Sequence, residues 1–238
     1  EIAIVKARRA AEGFEELRDI VGALDAILLA VEQMVRHQRF VDRGGDLRRE
    51  NAMNVKRLMD IVLSLAALVL LSPLLVLATL LIVLDSGWPV FFRQTRVGQG
   101  GQTFAILKFR SMRTDAAVTG PYFTQANDPR ITGVGRFIRR TSIDELPQLL
   151  NVLWGDMSLV GPRPDVPAQQ SLYSPADWIR RCSVRPGITG LAQVRGRSQA
   201  SFEQRLAFDL EYVTNVSVGL DLRIFWWTFC QLGGRHSN

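Results

Sequence analysis

The sequence predicts an α+β fold that is mostly helical, with a re-entrant membrane helix hairpin, a small β-hairpin and interfacial amphipathic helices. Three observations support this prediction. An uncharged run over residues 61–84 is interrupted at its midpoint by Ser72-Pro73, two strand-like segments follow around a glycine-rich turn, and an aromatic stretch lies near the end of the chain. The 238 residues suffice for one domain plus an extension.

The chain divides into an N-terminal helical extension over residues 1–52 and a main domain over residues 53–238. In the extension, apolar residues recur at near-helical spacing until Gly44-Gly45 ends the segment. We expect this helix to dock on the body of the protein or on a second copy, which would make the protein a homo-oligomer. A connector from an upstream domain is the alternative. The spacing is defined by Ile20, Leu24, Ile27, Val31 and Val35.

The uncharged run over residues 61–84 has 24 residues, so a single helix would reach about 36 Å and cross a bilayer core. Pro73 divides the run into two halves, because its ring clashes with the carbonyl of Val69 and removes one amide donor. The hydroxyl of Ser72 can bond back to the carbonyl of Leu68 or Val69 and so satisfy part of the break.

Basic residues flank this run on both sides, with Lys56 and Arg57 before it and Arg93 and Arg96 after it. Lys and Arg near membrane segments favour the cytoplasmic side. A helix that enters the bilayer, bends at its midpoint and returns, over about residues 58–84, keeps both basic pairs on that side. A kinked spanning helix is the alternative. A buried core helix is disfavoured, because the run is too long and too uniformly apolar.

Composition limits the chemistry that the chain can perform. The formal net charge of +6 suits an anionic lipid or a phosphate-rich substrate. Nucleic acid is not an expected partner, because no DNA-binding motif and no interleaving of basic with stacking aromatic residues is found. Two cysteines fit a reducing compartment, and two histidines, His37 and His236, leave carboxylates and basic groups as the candidate catalytic groups.

Two segments after the run, residues 89–94 and 103–109, read as the strands of a β-hairpin. Lys108 and Arg110 lie at the end of the second segment, where the alternation of a strand would point both side chains to one face. Near the end of the chain, a helix at about residues 201–214 precedes the aromatic stretch over residues 224–229. This stretch suits a membrane interface, with core packing as the alternative.

An acidic pair, Asp144-Glu145, follows the arginine-rich segment that contains Arg139. Ser142 and Glu145 match the S-x-x-E capping box, which would place both carboxylates in the first turn of a helix, where free amides favour anions. Purely structural capping is the alternative. Rigid turns of Gly and Pro also hold isolated arginines, which suits bidentate binding of phosphate oxygens. These turns are Gly161-Pro162-Arg163-Pro164 and Arg185-Pro186-Gly187-Ile188-Thr189-Gly190.

From about residue 54 to residue 232, ordered blocks give the chain a resemblance to a known family. The blocks are Lys56-Arg57-Leu58-Met59-Asp60, Pro89-Val90-Phe91-Phe92, Lys108-Phe109-Arg110-Ser111-Met112, Asp144-Glu145-Leu146-Pro147-Gln148, Gly155-Asp156-Met157-Ser158-Leu159-Val160-Gly161-Pro162-Arg163-Pro164, Pro186-Gly187-Ile188-Thr189-Gly190 and Leu220-Asp221. In this order they resemble the bacterial sugar transferases of the monotopic phosphoglycosyl transferase family.

The resemblance implies an enzyme that moves a sugar 1-phosphate from a UDP-sugar to a polyprenyl (undecaprenyl) phosphate and releases UMP. Such a reaction starts a bacterial surface glycan, such as a capsule, an exopolysaccharide or an O-antigen. The resemblance further implies a location at the cytoplasmic face of the bacterial inner membrane, in contact with its lipid. A non-catalytic membrane adaptor of a glycan pathway is the alternative function, although an intact Asp144-Glu145 pair disfavours it.

The family pattern also implies roles for individual residues. Asp144 would be the nucleophile and form an aspartyl-phosphosugar intermediate, and Glu145 would hold Mg²⁺. Arg139 stands where the family places a phosphate-binding arginine. The remaining candidates for binding phosphate or substrate are Lys108, Arg110, Arg163 and Arg185, and two further acidic positions that could support metal or substrate are Asp156 and Asp209.

Two positions depart from the family pattern. Ser198 follows Gly196-Arg197 where the family often has Asn, and Phe202 stands where Trp often follows. Both positions lie where the selectivity for sugar or nucleotide could be set.

Overall fold

A computed structural model of the chain describes residues 47–116, 128–196 and 200–233. The predicted helix before Gly44-Gly45 and the departure at Ser198 lie outside these residues. The predicted boundary near residue 52 falls within the first described helix. The helices are α1 (Leu47–Leu70), α2 (Ser72–Ser86), α3 (Gly133–Arg140), α4 (Gln148–Trp154), α5 (Pro175–Arg181), α6 (Leu191–Gly196), α7 (Phe202–Thr214) and α8 (Val218–Gly233), and the strands are β1 (Phe91–Val97), β2 (Thr103–Phe109), β3 (Ser158–Val160) and β4 (Gly187–Thr189).

The described elements are mainly helices, with two small sheets, which confirms a mostly helical fold with a β-hairpin. Strands β1 and β2 pair antiparallel, with Phe91 opposite Phe109, and β1 runs three residues beyond the predicted end at residue 94. Gly100 and Gly101 adopt positive φ in the connecting turn, a conformation open to glycine. The second sheet pairs β3 with β4 in parallel, and no sequence signal had marked it.

Helices α1 and α2 form a bent pair around Leu71. Within the part of the chain that the structure describes, no single helix is long and apolar enough to cross a membrane. Taken together, α1 from Met53 onwards and α2 have the length and composition of a membrane span, with a 61° bend between them. The hydroxyl of Ser72 donates to the carbonyl of Val69 at 2.8 Å, which confirms one of its two predicted acceptors. Pro73 lies in the first turn of α2, where a missing amide removes no helical bond.

The apolar side chains of this pair are largely exposed. Leu70 is 79% exposed and Leu84 83%, whereas the residues of α2 that are buried are Ala78 and Ile82. A core helix would bury most of this surface. The run is therefore not the core helix of the fold.

The chain before and after the bend attaches to one short segment of the body, through α1 and through β1. Before the bend, the ammonium of Lys56 donates to the carbonyl of Val160 at 3.0 Å. After the bend, the guanidinium of Arg96 donates to the carbonyl of Pro164 at 3.0 Å. The chain thus leaves the body through α1 and comes back to it through α2 and β1.

The core lies where α1, α4, α8 and the β3–β4 sheet meet. Arg57 of α1 donates to the carbonyls of Val152 and Leu153, at 2.6 and 3.0 Å, and so satisfies the C-terminal end of α4. Because α4 is fixed in this way, the turn that precedes it is also held in place. The main buried cluster contains Ile106, Leu149, Val152, Met157, Leu159, Val160, Leu191, Val194, Tyr212 and Ile224.

A buried polar network joins α1 to the two C-terminal helices. Asp221 is fully buried and receives the ammonium of Lys56 at 2.5 Å on one carboxylate oxygen. The hydroxyl of Tyr212 donates to its other oxygen at 2.8 Å. A buried carboxylate needs such partners, because its transfer from water is costly.

We expect the substitution Lys56→Met to lower the free energy of unfolding by about 3–5 kcal/mol, because it leaves the buried Asp221 carboxylate without its cation. Denaturant unfolding of the detergent-solubilised protein measures this loss. The matched control is Glu211→Gln, which removes the exposed ion pair with Arg195 and should cost about 0–1 kcal/mol. Equal losses from both substitutions would contradict the role given to Lys56.

Candidate active site

The acidic pair lies in a 3₁₀ turn, Ile143–Glu145, between α3 and α4. The predicted capping box is wrong: Ser142 has a left-handed backbone, with φ 59° and ψ 16°, and its side chain caps no amide. The α-helix instead begins at Gln148, after Pro147, so the carboxylates precede the helix. A left-handed conformation at a residue other than glycine costs roughly 1–3 kcal/mol and is typical of functional turns.

Glu145 receives two cations on one oxygen. The ammonium of Lys108, in β2, donates to Oε1 at 2.9 Å, and the guanidinium of Arg163 donates to the same atom at 2.6 Å. The structure thus brings three of the predicted site residues together from three distant segments. Within the described residues, Oε2 of Glu145 accepts no hydrogen bond.

The pKa values of the two neighbouring carboxyls move in opposite directions. Burial raises the pKa of Glu145, but the charges of Arg163 and Lys108 oppose it and prevail, and hold the pKa at about 2. Burial and the adjacent Glu145 raise the pKa of Asp144, against the charges of Lys108 and Arg139. Such divergence between adjacent carboxyls is typical of active sites, where the two groups have different roles.

Arg163 sits in a turn whose backbone is fixed from several sides. Arg181 donates to the carbonyl of Arg163 at 2.6 Å, and Arg96 holds the next carbonyl, that of Pro164. Gly161 packs so closely on the segment before β4 that a Cβ atom there would lie 2.4 Å from the carbonyl oxygen of Arg185. Only glycine fits at this close approach.

Arg181 organises a buried network beside this turn. Its guanidinium contacts Asp165 at 2.6 Å and Asp209 at 2.8 Å, and it lies 5.4 Å from the ring centroid of Tyr173. The Tyr173 hydroxyl donates to Asp165 at 2.7 Å. Asp209, expected as an acidic position for metal or substrate, is thus a counterion of Arg181.

Two predicted phosphate-binding arginines lie in other surroundings. Arg110 is buried just after β2, and its guanidinium donates to the carbonyls of Ser86 and Gly87 at the end of α2. The Arg185 guanidinium donates to the carbonyl of Gly155 at 2.9 Å, after α4. These contacts stabilise the ends of two helices, and a role of either arginine towards phosphate stays a prediction.

Asp156 also lies after α4, where its carboxylate accepts a hydrogen bond from the amide of Asn151 at 3.2 Å. Burial raises the pKa of Asp156. The hydrogen bond from Asn151 and the charges of Arg185 and Arg57 lower it, but burial prevails. Asp156 thus belongs to the cluster at the end of α4, and its support of metal or substrate stays a prediction.

A cavity of about 1660 Å³ opens beside Glu145 and Arg163. Its wall combines two kinds of surface. Polar and charged side chains come from the Arg163 turn, the Arg181 network and α7, and apolar side chains come from α1 and α8. The apolar lining residues include Leu63, Ala67, Leu71, Leu222, Phe225 and Phe229. A cavity with both kinds of wall suits a ligand with a phosphate at one end and an apolar chain at the other.

The carboxylate of Glu145 fits a magnesium ion that is shared with a substrate. Within the described residues, no group of three or more His, Cys, Asp or Glu could enclose a metal ion. Mg²⁺ needs no such enclosure, because it commonly binds one or two carboxylates together with phosphate oxygens and water. Oε2 of Glu145 and the neighbouring Asp144 supply hard oxygen atoms of this kind.

The residues that sequence reasoning missed are Arg96, Asp165, Tyr173 and Arg181, which position the Arg163 turn. Arg181 follows another arginine, Arg180, in α5, and only Arg181 is buried. A run of two arginines does not reveal which one faces the core.

We expect acid to destabilise the wild-type protein partly through Glu145. The folded pKa of about 2 lies below the ordinary value of 4.5, so the ionised group stabilises the fold above pH 4.5 and this contribution is lost as the pH falls towards 2. Unfolding midpoints of wild type and Glu145→Gln across this range measure the effect. The glutamine variant should show a shallower fall, and parallel curves would contradict the ion-pair assignment.

Comparison with known proteins places this site in a family. The family model described as bacterial sugar transferase matches residues 51–234. The exopolysaccharide production protein PSS of Rhizobium leguminosarum is 48% identical over 185 residues, which cover 73% of this chain and 92% of the relative.

Two further relatives carry the name UDP-glucose:undecaprenyl-phosphate glucose-1-phosphate transferase. The one from Caulobacter vibrioides is 47% identical over 190 residues, with 76% of this chain and 70% of the relative covered. The one from Escherichia coli is 47% identical over 184 residues, with 73% of this chain and 39% of the relative covered. With a family match over most of its length and relatives at this level of identity, the chain belongs to the bacterial sugar transferase family.

Proposed function

We propose that this protein transfers a sugar 1-phosphate, glucose 1-phosphate in the first instance, from a UDP-sugar to undecaprenyl phosphate, as the names of its relatives state for them. The observation that carries the proposal is the Asp144–Glu145 turn, in which Glu145 binds two cations and lines, with Arg163, a cavity that has both polar and apolar walls. The product would start an exopolysaccharide, the process named for the Rhizobium relative.

In the first half-reaction, a carboxylate oxygen of Asp144 attacks the phosphorus that carries the sugar. A bond from Asp144 to phosphorus forms, the bond from that phosphorus to the bridging oxygen breaks, and UMP leaves with the electron pair. Lys108, Arg139 and Arg163 lie near the acidic pair and supply positive charge for the diphosphate oxygens. The attacking carboxylate must be ionised. Burial and Glu145 raise the pKa of Asp144, and the charges of Lys108 and Arg139 oppose this and favour the ionised form.

In the second half-reaction, an oxygen of undecaprenyl phosphate attacks the phosphorus of the aspartyl-phosphosugar. The bond to Asp144 breaks and the free carboxylate returns, with the polyprenyl diphosphate sugar as product. One phosphate site serves both halves in turn, because UMP leaves before the lipid phosphate enters. The apolar wall formed by Leu63, Ala67 and Leu71 suits the first part of the polyprenyl chain.

Glu145 is the residue that would hold Mg²⁺ in this site. When bound, the ion neutralises phosphate charge and makes UMP a better leaving group. Lys108 and Arg163, which contact Glu145 in the structure, would then bind the substrate phosphates.

We further propose that the bent pair of helices is a re-entrant hairpin on the cytoplasmic face of the inner membrane. Its exposed apolar side chains require an apolar environment. Lys56 of α1 and Arg96 of β1, which follows α2, both bind the segment from Val160 to Pro164, so the chain lies on one side of the membrane before and after the hairpin. The basic character of these ends favours the cytoplasmic side.

We expect Asp144→Asn to lower UMP release from UDP-glucose, measured with undecaprenyl phosphate and Mg²⁺, by at least about 10³-fold, because an amide cannot replace the nucleophile. The matched control is Asp177→Asn in α5, which should keep wild-type turnover. Normal turnover by Asp144→Asn would refute the nucleophile assignment. Absence of UMP release from wild type with every UDP-sugar would favour the adaptor function.

The covalent intermediate is tested without the lipid acceptor. We expect wild type to release about one equivalent of UMP and to retain the labelled sugar phosphate on the protein, as a two-step mechanism requires. Asp144→Asn should do neither. Release without retained label would indicate direct transfer to water and contradict the intermediate.

Pro73→Ala should restore a helical amide at the bend and shift the hairpin towards a spanning helix. A cysteine placed in residues 1–46 of a variant without native cysteines would then react with a membrane-impermeant maleimide added from the periplasm. Val76→Ala, on the exposed surface of α2, is the control and should leave that cysteine protected. Equal labelling of both variants would contradict the role of Pro73.

A further inference from the structure

One face of α7 lines the cavity over two helical turns. Phe202, Arg205, Leu206 and Asp209 all lie in the cavity wall, at positions i, i+3, i+4 and i+7 of the helix. This spacing places them in one stripe. Asp209 is paired with Arg181, so Phe202 and Arg205 are the aromatic and the charged side chain of this stripe that can contact a ligand.

The ring of Phe202 is held in a fixed orientation. It packs edge-on against Tyr173, with ring centroids 4.9 Å apart and an interplanar angle of 60°. Tyr173 in turn contacts Trp178 at 5.1 Å and the guanidinium of Arg181. A ring that is held by packed neighbours loses little conformational freedom when a planar group stacks on it.

Arg205 differs from the other arginines of the same wall. Arg163 binds Glu145, and Arg181 binds Asp165 and Asp209. Arg205 is exposed and forms no hydrogen bond or ion pair with any residue that the structure describes. Its guanidinium is therefore available to an anionic ligand without breaking a bond within the protein.

We propose that Phe202 and Arg205 form the nucleotide subsite of the transferase proposed above, with the pyrimidine ring stacked on Phe202 and the nucleotide phosphate bound by Arg205. A planar base next to a phosphate matches an aromatic ring one helical turn away from a free arginine. The sugar and the polyprenyl chain lack this combination. The apolar lining from α1 and α8 stays available for the lipid.

The test compares three ligands by calorimetry on the detergent-solubilised full-length protein: uridine, UMP and glucose 1-phosphate. Phe202→Ala should weaken the binding of uridine and UMP by about tenfold and leave that of glucose 1-phosphate unchanged. Arg205→Ala should weaken the binding of UMP by about tenfold but leave the binding of uridine unchanged, because uridine lacks the phosphate. The effect of Arg205 should also shrink at high salt.

Three matched variants separate recognition from folding. Phe202→Trp keeps a stacking face and should bind UMP within about twofold of wild type, whereas Phe202→Leu keeps apolar bulk without that face and should behave like Phe202→Ala. Phe137→Ala removes an exposed aromatic ring outside the cavity wall and should leave UMP affinity unchanged.

Several outcomes would overturn the subsite. If Phe202→Ala weakens the binding of glucose 1-phosphate but not that of uridine, Phe202 contacts the sugar instead of the base. If Phe202→Leu binds as well as wild type, stacking is not involved. If wild type releases UMP in the transferase reaction but neither Phe202→Ala nor Arg205→Ala changes UMP affinity, the subsite is wrong and the function stands. If wild type neither releases nor binds UMP, both fail.

Discussion

Two cations that share one carboxylate oxygen hold the site together. Lys108 comes from the β-hairpin, Arg163 from a turn of Gly and Pro, and Glu145 from the 3₁₀ turn before α4. None of these segments is adjacent to another in sequence, and no regular sheet or helix contact joins all three. The cluster joins three segments whose backbones are also fixed by other contacts. Arg57 holds the end of α4, and Arg181 and Arg96 hold the turn that carries Arg163. Partial burial strengthens the cluster, since charges screened from water interact more strongly.

The same arrangement connects the apolar helices to the chemistry. α1 caps α4 through Arg57, and α4 follows directly after the acidic turn. Lys56, next to it, binds the carbonyl of Val160, just before the turn that carries Arg163. A displacement of the bent pair would therefore move both sides of the site. The bent, apolar pair of helices is thus built directly onto the turns that carry Glu145 and Arg163.

The sequence predicted the elements whose signals are local. The break at Ser72-Pro73 follows from the chemistry of proline, and the β-hairpin follows from two strand-like segments around glycines. The helix predicted at about residues 201–214 is α7. The sequence did not predict what depends on tertiary packing. The S-x-x-E pattern at Ser142 is a capping signal only if a helix starts there, and Pro147 moves that start to Gln148.

The candidate site likewise divides into features with a local sequence signal and features that depend on tertiary packing. The grouping of Glu145 with Lys108 and Arg163 was accessible from residue type and family pattern, because these residues stand in recognisable blocks. The placement of Arg110 against the end of α2 was not predictable in this way. Strand β2 ends at Phe109, so the strand pattern gives no direction for the side chain of the next residue. The parallel β3–β4 pair is three residues long in each strand, too short for periodicity to reveal.

The charge balance within this site has a consequence at a lipid surface. Free cations at the headgroup level would attract the phosphates of ordinary phospholipids, which greatly outnumber any polyprenyl carrier. Glu145 binds both Lys108 and Arg163 through one oxygen, so a headgroup must displace an internal carboxylate to enter. Under the proposed mechanism, a substrate that brings a divalent cation would give Glu145 a new partner and escape this penalty. Glu145 would thus act as a built-in competitor that excludes the bulk lipid of the bilayer from the catalytic pocket.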